Sequence, residues 1–176
     1  MIYVKAANFD DIEKEWKFTC DIPADENGFL NDWAEISRED FENKALPDML
    51  RFSRGENLPD WMVPETYLFL WDDEGGEPKI VGQFRLRHCL NEALKTGGGH
   101  IGQFIAKEYR GKGYGTKGLA LTLEYARTIV PEDEFYLRVN KDNPASLKVM
   151  QKNGGYIAGE DDGHFYVRIK NRGNKK

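Results

Sequence analysis

The apolar positions of this chain recur with two different periods, and the two periods predict different elements. Apolar and β-branched residues crowd into 66–71 and 79–86, which predicts two strands joined by a hairpin turn over 72–76. Apolar residues return every three or four positions in 113–130, which predicts the clearest helix of the chain. The same patterns predict further strands at 2–6, 100–106 and 134–139, a final β pair from 156 onward, and helices at 12–20, 37–52 with a break at Pro47, and 144–153.

These elements follow one another in the order β-α-α-β-β-β-α-β-α-β-β. That order predicts a mixed α/β fold whose central twisted sheet is flanked by helices. With 176 residues, 40% of them hydrophobic, and with no internal repeat or long linker, the chain fits one domain over 1–176. Residues 21–38 are polar and turn-rich, and they predict no regular element.

Composition narrows the class of protein. No apolar run is long enough to span a bilayer, and the start of the chain lacks the basic and apolar regions of a signal peptide. We therefore expect a cytoplasmic protein that does not bind a membrane. Cys20 and Cys89 stand alone without a C-x-x-C pattern, which disfavours a disulfide framework and a metal site.

Charge is divided unevenly along the chain. Residues 1–75 hold 19 Asp and Glu against 7 Lys and Arg, whereas residues 76–176 hold 11 against 18. One interpretation is two unlike ligands, with a polyanion on the basic part and a cationic acceptor drawn to an acidic arm over 1–75. The other interpretation is two ordinary solvated surfaces. Nucleic acid is a poor candidate, because the net charge is −5 and no dense Lys/Arg run precedes the tail 170–176, which is expected to be a solvated end.

A glycine-rich run, Arg110-Gly111-Lys112-Gly113-Tyr114-Gly115, lies between a predicted strand and the clearest helix. A helix N-terminus presents unpaired amides and a partial positive charge, and glycines let the backbone close on phosphate oxygens. The run therefore predicts an anion site, with an ordinary strand-to-helix turn as the alternative.

Two other glycine motifs fit this run less well. Gly113-x-Gly115-x-x-Gly118 matches a dinucleotide-binding fingerprint. However, the acids at 132–134 precede the next strand, whereas a ribose-binding acid belongs at the C-terminal end of that strand. A nucleotide P-loop is also disfavoured, because no Gly-Lys-Ser/Thr ends the run.

A family resemblance covers most of the chain. Arg110, Gly113 and Gly115 fill the fixed positions of the signature [Gln/Arg]-x-x-Gly-x-[Gly/Ala], which is motif A of the GNAT acyltransferases. Asn143-Pro144-Ala145-Ser146 and the following Gly154-Gly155 resemble motif B of the same superfamily. The two motifs span residues 98–158 and are separated by the expected helix and strand. Upstream, the run from Leu58-Pro59 to Val63-Pro64, then Gly82 and Arg87-His88 to Asn91, resembles a group of bacterial predicted acetyltransferases whose substrates are not generally assigned, and this extends the resemblance over most of the chain.

The resemblance implies a GNAT-type three-layer fold and an acyl-CoA-dependent N-acyltransferase. Such an enzyme moves an acetyl group from acetyl-CoA, as co-substrate, to a primary amine by direct transfer, and it needs no metal. The resemblance also leaves a homodimer open. By position, it implies that the backbone of Gln103, Phe104 and Ile105 pairs with the pantetheine arm. The other coenzyme-binding residues that it implies are the pyrophosphate loop Arg110, Gly111, Lys112, Gly113, Tyr114, Gly115 and Thr116, and on the opposite wall Asn143 and Ser146.

Catalytic residues are where the sequence departs from the superfamily pattern. Many members place a proton-donating Tyr seven residues after the motif-B Asn, and this chain has Met150 there. Some members use a carboxylate on the preceding strand, where this chain has Arg138. His100, on the strand expected to hold pantetheine, is the candidate base because its ordinary pKa suits proton transfer near neutrality; His88 is a weaker one.

Two hypotheses of function therefore stay open. The first is an N-acetyltransferase, and the second is a sensor or regulatory module that binds acyl-CoA without useful turnover, which Met150 and Arg138 favour. Trp33, Trp61 and Tyr67 lie in the acidic part, where they either line an acceptor pocket or pack into a core or lid.

Overall fold

The computed structural model describes residues 1–172 and contains helices on both faces of an antiparallel sheet. Its strands are β1 Ile2–Ala6, β2 Asp25–Glu26, β3 Phe29–Leu30, β4 Glu65–Asp72, β5 Lys79–Arg87, β6 Ile101–Ile105, β7 Glu134–Asn140, β8 Tyr156–Glu160 and β9 His164–Lys170. Its α-helices are α1 Ile12–Asp21, α2 Arg38–Asp40, α3 Leu46–Ser53, α4 Glu92–Lys95, α5 Tyr114–Ala126 and α6 Pro144–Lys152.

The first sheet has the strand order β1-β4-β5-β6, and its inner strand β4 is buried along its whole length. Successive side chains of a strand point to opposite faces. Accordingly, Leu68 and Leu70 join a core beneath α5, whereas Phe69 and Trp71 join a second core beneath α1 and α3. The continuous apolar run of β4 thus serves two helical layers, one on each face of the sheet.

A second sheet, with the order β7-β9-β8, is also antiparallel. It meets the first sheet at one narrow junction, where Gly99 bridges Leu137 and the His100 amide donates to the Tyr136 carbonyl at 2.7 Å. Gly99 has φ +65°, and a Cβ there would lie 2.1 Å from the Tyr136 carbonyl oxygen. Only glycine fits this contact. Beyond the junction β6 and β7 belong to different sheets, so a cleft opens between them.

The predicted mixed α/β fold with a central sheet flanked by helices is confirmed. Every strand ladder within residues 1–172 is antiparallel. Strands β6 and β7 are joined only through the bridge of Gly99 to Leu137 and then continue in different sheets.

A short hairpin, β2 and β3, lies in the stretch predicted to be irregular. Its turn residues Asn27 and Gly28 both have positive φ, +54° and +83°. Asn-Gly is the pair that a tight hairpin turn of this kind favours, so the sequence did carry a signal for it. Phe29 lies over Gly102 of β6, and Gly28 lies near Asn140 of β7, so the hairpin crosses the cleft between the two sheets.

The predicted break at Pro47 and the predicted tail also differ from the structure. A π-helical turn, Phe41–Ala45, joins α2 to α3, and Pro47 is the second residue of α3, where its missing amide costs little. The chain stays in β9 through Lys170, and Asn171 donates to the carbonyls of Val130 and Glu132. The rest of the predicted solvated tail, residues 173–176, lies outside the described residues.

Candidate functional site

A cavity of about 1080 Å³ lies in the cleft between β6 and β7. We call one part of it the loop end, which is lined by β6, the glycine-rich run, the first turn of α5 and helix α6. We call the other part the aromatic end, which is lined by the β2–β3 hairpin, the segment 61–67 and the ends of β5 and β7. The aromatic end includes Trp33, Phe52, Trp61, Met62, Tyr67, Arg85, Arg87 and Arg138.

The loop end is shaped by backbone. Gly111 and Gly113 have φ of +75° and +88°, a conformation that side chains strain, and Gly113 immediately precedes α5. Helix α5 has no side-chain cap and no acid in its first turn. Its first amides and the positive end of its dipole therefore remain available to an anion.

Not every side chain of the glycine-rich run lines the cavity. Arg110, Gly111, Gly113, Gly115 and Thr116 belong to the lining, whereas the side chains of Lys112 and Tyr114 have other partners. Lys112 Nζ donates to the Glu108 carbonyl at 2.8 Å. The Tyr114 hydroxyl donates to Asp72 Oδ2 at 2.6 Å, and this bond raises the pKa of Tyr114 to about 12. Any contact of these two residues with an anion would be through their backbone amides.

Strand β6 is the edge strand of the first sheet. One edge pairs with β5, as in Gln83 with Phe104, and the other edge faces the cavity beside Gln103 and Ile105. An unpaired strand edge offers donors and acceptors to an extended ligand. Gln103 Nε2 also donates to Ser146 Oγ at 2.7 Å, which links β6 to α6 across the cleft.

Helix α6 forms the opposite wall. Asn143 caps it, since its side-chain oxygen accepts from the Ser146 amide at 3.2 Å, and Pro144 follows as the first helical residue. Met150 lines the cavity one turn after Ser146 and is otherwise packed in the core. A Cβ on Gly155 would lie 2.7 Å from the Met150 carbonyl, which explains a glycine after this helix.

Arg110 ties the hairpin to the loop end. Its Nε donates to the Ile105 carbonyl at 2.8 Å, and its Nη2 lies 3.0 Å from Glu26 Oε1. The sequence did not single out Glu26, because the hairpin that carries it was not predicted. Its other carboxylate oxygen, Oε2, is buried without a hydrogen-bond partner.

The three aromatic residues whose role the sequence left open all line the aromatic end. Trp33 and Tyr67 also pack in the second core, and burial raises the pKa of Tyr67. Trp61 is 75% exposed, and its backbone carbonyl accepts from Asn91 Nδ2 at 3.0 Å. Core packing and pocket lining are therefore compatible for Trp33 and Tyr67, while Trp61 stands at the surface of the pocket.

Charged groups at the aromatic end were not predicted. Glu65 is buried and accepts two parallel bonds from Arg85, Nε to Oε1 and Nη2 to Oε2, both 2.9 Å. Arg87 Nε lies 3.7 Å from Glu65 Oε1, and Asp32 Oδ2 lies 3.8 Å from Arg85 Nη1. These residues come from distant parts of the sequence, and only the pairing of β4 with β5 brings Glu65 beside the arginines.

His100 does not line the cavity. It is fully buried, its Nδ1 accepts from the Tyr136 amide at 2.8 Å, and its Nε2 lies 3.1 Å from Glu132 Oε2. Burial lowers the pKa of His100, although Glu132 opposes the shift. A histidine with both ring nitrogens engaged and no exposed surface holds the junction between the sheets, so we propose no role as a base for it. His88 likewise bonds Thr66 Oγ1, at 2.7 Å, outside the cavity lining.

Within residues 1–172, no group of three or more His, Cys, Asp or Glu side chains is arranged to hold a metal ion. No helix in the same range is both long and apolar enough to pass through a bilayer.

Comparison with known proteins agrees with this geometry. A family model described as an acetyltransferase (GNAT) domain matches residues 23–155. Spermidine N(1)-acetyltransferase of Escherichia coli (strain K12) is 32% identical over 63 residues, which is 36% of this chain and 34% of that protein. The match therefore spans only about a third of that relative's length.

Solved structures show the same fold at low identity. Spermidine N-acetyltransferase from Vibrio cholerae in complex with CoA and spermine superimposes with a TM-score of 0.61 at 16% identity, over 98% of this chain and 96% of that one. The Campylobacter jejuni N-acetyltransferase PseH in complex with acetyl coenzyme A gives 0.58 at 20% identity, over 97% and 99%. Because the family model covers most of the sequence, this chain belongs to the GNAT acetyltransferase family.

Proposed function

We propose that this chain is an N-acetyltransferase that moves an acetyl group from acetyl-CoA directly to a primary amine. The observation that carries the proposal is one cavity that joins a bare helix N-terminus and a free strand edge to a pocket lined by aromatic side chains. The first two features suit a pyrophosphate and an extended pantetheine arm, and the pocket suits a separate acceptor.

In this proposal the coenzyme occupies the loop end. The amides from Gly111 to Thr116 hold the pyrophosphate, and the free edge of β6 at 103–105 pairs with pantetheine. Asn143 and Ser146 contact the coenzyme from α6, and Gln103 must share or release its bond to Ser146 when the arm enters. Two structures of the same fold were solved with CoA or acetyl coenzyme A, which supports a coenzyme of this kind as the ligand.

Direct transfer needs few groups from the protein. The amine nitrogen attacks the thioester carbonyl, the C–S bond breaks, the thiolate takes a proton and the amine loses one. No cysteine lines the cavity among the described residues, which fits direct transfer without an acyl-enzyme. Met150 cannot protonate the thiolate, but the Ser146 hydroxyl lies one turn earlier and uses only its oxygen in the bond from Gln103. Much of the rate can come from holding the reactants together.

The second candidate function is an acyl-CoA sensor without useful turnover, and Met150 in place of a proton donor is the observation that favours it. Release of free thiol from acetyl-CoA in the presence of a panel of primary amines separates the two. We expect amine-dependent release above the uncatalysed rate. Tight calorimetric binding of acetyl-CoA, with no amine raising thiol release above the background, would establish the sensor instead.

A further inference from the structure

The aromatic end of the cavity carries positive charge that the protein does not neutralise. Around the whole cavity, six basic side chains face three acidic ones: Arg85, Arg87, Arg110, Arg138, Lys148 and Lys152 against Glu26, Asp32 and Glu65. Glu26 is paired with Arg110 at the loop end. At the aromatic end, the positive charges of Arg87 and Arg138 remain to be accounted for.

The two acids at the aromatic end are directed to a third arginine. Both oxygens of Glu65 accept bonds from Arg85, and the nearest cationic group to Asp32 is also Arg85. Arg85 donates further to the Leu30 carbonyl at 2.9 Å and lies over the Tyr67 ring, so it is held in place by the fold. A bidentate pair with an arginine is the strongest hydrogen-bonded ion pair that a carboxylate such as Glu65 forms.

Arg87 is left with unused donors. Its Nη1 donates to the Gly99 carbonyl at 3.1 Å, while its Nε is beyond hydrogen-bond distance from Glu65. Nη2 donates to no residue of 1–172. The side chain is mostly buried, and burial lowers the pKa of Arg87; Glu65 opposes this shift, while the positive charges of Arg85 and Arg138 add to it. A guanidinium nevertheless stays charged near neutral pH.

Arg138 lies across the cleft on β7, and its side chain has no hydrogen bond or ion pair with any residue from 1 to 172. It is close enough to Arg87 for its charge to be felt there. Two like charges that face the same cavity, each with free N–H groups, form a site for an anion, because an anion relieves their repulsion and accepts their hydrogen bonds.

We infer that the acceptor is an amine that also carries an anionic group, a carboxylate or a phosphate, and that Arg87 and Arg138 hold this group. The inference rests on the proposed function, since it names the substrate class of the same site. It replaces the expectation of a purely cationic acceptor. Of the many acids in residues 1–75, only Glu26, Asp32 and Glu65 reach the cavity, and two of these are taken up by arginines in close ion pairs.

The test uses conjugates that need no turnover. CoA is joined by a sulfur-linked acetyl group to the nitrogen of ethylamine, of alanine or of O-phosphoethanolamine, so that the last two add a carboxylate or a phosphate to the first. We expect at least one anionic conjugate to bind the wild-type chain about tenfold tighter, or more, than the ethylamine conjugate in calorimetric titrations. The comparison between the two anionic conjugates distinguishes carboxylate from phosphate.

Variants test whether the two arginines cause this gain in affinity of the anionic conjugates over the ethylamine conjugate. Arg138→Gln should remove most of it, and Arg87→Lys should reduce it by losing the guanidinium fork. Arg127→Gln makes the same charge change at an exposed position outside the cavity lining and should leave the gain intact. Because Arg138 is exposed, its replacement should not disturb folding.

Each outcome is decisive. Equal affinity of all three conjugates, or a gain that survives in Arg138→Gln, would overturn the inference. Thiol release with every amine regardless of an acidic group would keep the proposed function and remove only the anion site. If free CoA fails to bind the wild-type chain, the proposed function and the anion site fall together.

Discussion

The two ends of the cavity are built in different ways. The loop end comes from one stretch of sequence, 103–150, and its main features are backbone features: glycine conformations, helix amides and a strand edge. The aromatic end collects side chains from the hairpin, from 61–67, from β5 and from β7. Backbone features at close spacing leave a motif in the sequence, whereas a pocket of side chains from distant strands leaves none.

The same difference separates recognition of the coenzyme, which is common to many proteins, from recognition of the acceptor, which is particular to one. Any acyl-CoA presents the same pyrophosphate and pantetheine, so a backbone cradle can serve all of them. The acceptor is recognised by charged and aromatic side chains, which can change without disturbing the fold. Three substitutions test this difference: Gly99→Ala and His100→Gln act at the junction between the sheets, and Gly113→Glu acts at the loop end.

The largest effect is expected at the junction that holds the two ends together. Gly99→Ala places a Cβ 2.1 Å from the Tyr136 carbonyl oxygen at a residue with φ +65°, so β6 and β7 must move apart. We expect a loss of about 4 kcal/mol in the free energy of unfolding, from backbone strain and overpacking together. Urea denaturation of the variant and the wild type measures this loss.

Gly159→Ala is the control for this junction, because a Cβ at Gly159 meets no atom within 4 Å and its φ is not positive. We expect that variant to stay within about 0.5 kcal/mol of the wild type. If Gly99→Ala were as stable as Gly159→Ala, the narrow junction would not be what sets the cleft.

The next effect is confined to the loop end. Gly113→Glu puts a carboxylate beside the first amides of α5, where the proposal places the pyrophosphate. We expect CoA affinity to fall about a hundredfold, roughly 2.7 kcal/mol, in a calorimetric titration of the folded variant.

Gly75→Glu is a matched control for the loop end. Gly75 has φ +83°, close to the +88° of Gly113, and a Cβ at either position meets open space, but Gly75 does not line the cavity. The backbone strain and the added charge are therefore alike. Equal CoA affinity in both variants would contradict the assignment of the loop end to the coenzyme.

The smallest effect concerns His100, which belongs to neither end. Burial lowers the pKa of His100 in the folded chain, so below its ordinary value, about 6.5, the unfolded chain binds more protons. Relative to the His100→Gln variant, the wild type should therefore lose stability as the pH drops from about 7.5 to about 5.5. Glu15, whose pKa burial raises to about 8, and His88, whose pKa burial lowers, also titrate in this window, but they are present in both proteins and cancel in the difference. The depressed pKa of Glu132 acts at lower pH and does not enter this window.

Denaturant titrations of both proteins at the two pH values provide the measurement. Identical pH dependence would show that His100 is not held neutral by burial. A loss of about a hundredfold in turnover, with unchanged stability, would instead restore His100 as the base.

Most of the elements and the backbone of the loop end follow from local signals in the sequence. The apolar run of β4, the helical period of α5 and the Arg110, Gly113 and Gly115 spacing are local, and local backbone conformation follows from neighbouring residues. Even the unpredicted hairpin had a local signal in Asn27-Gly28. The resemblance of the two motifs to motifs A and B sufficed to suggest the family.

Only the tertiary structure decided the rest. The burial of His100 depends on β7 lying against it, and the charge of the aromatic end depends on which acids Arg85 takes up. The excess of acids in residues 1–75 indicated nothing about the pocket, because most of those side chains are directed to other surfaces. Hydrogen-bond partners that lie 20 to 55 residues apart, such as those of Arg85, follow from strand pairing and sheet divergence, which local patterns do not encode.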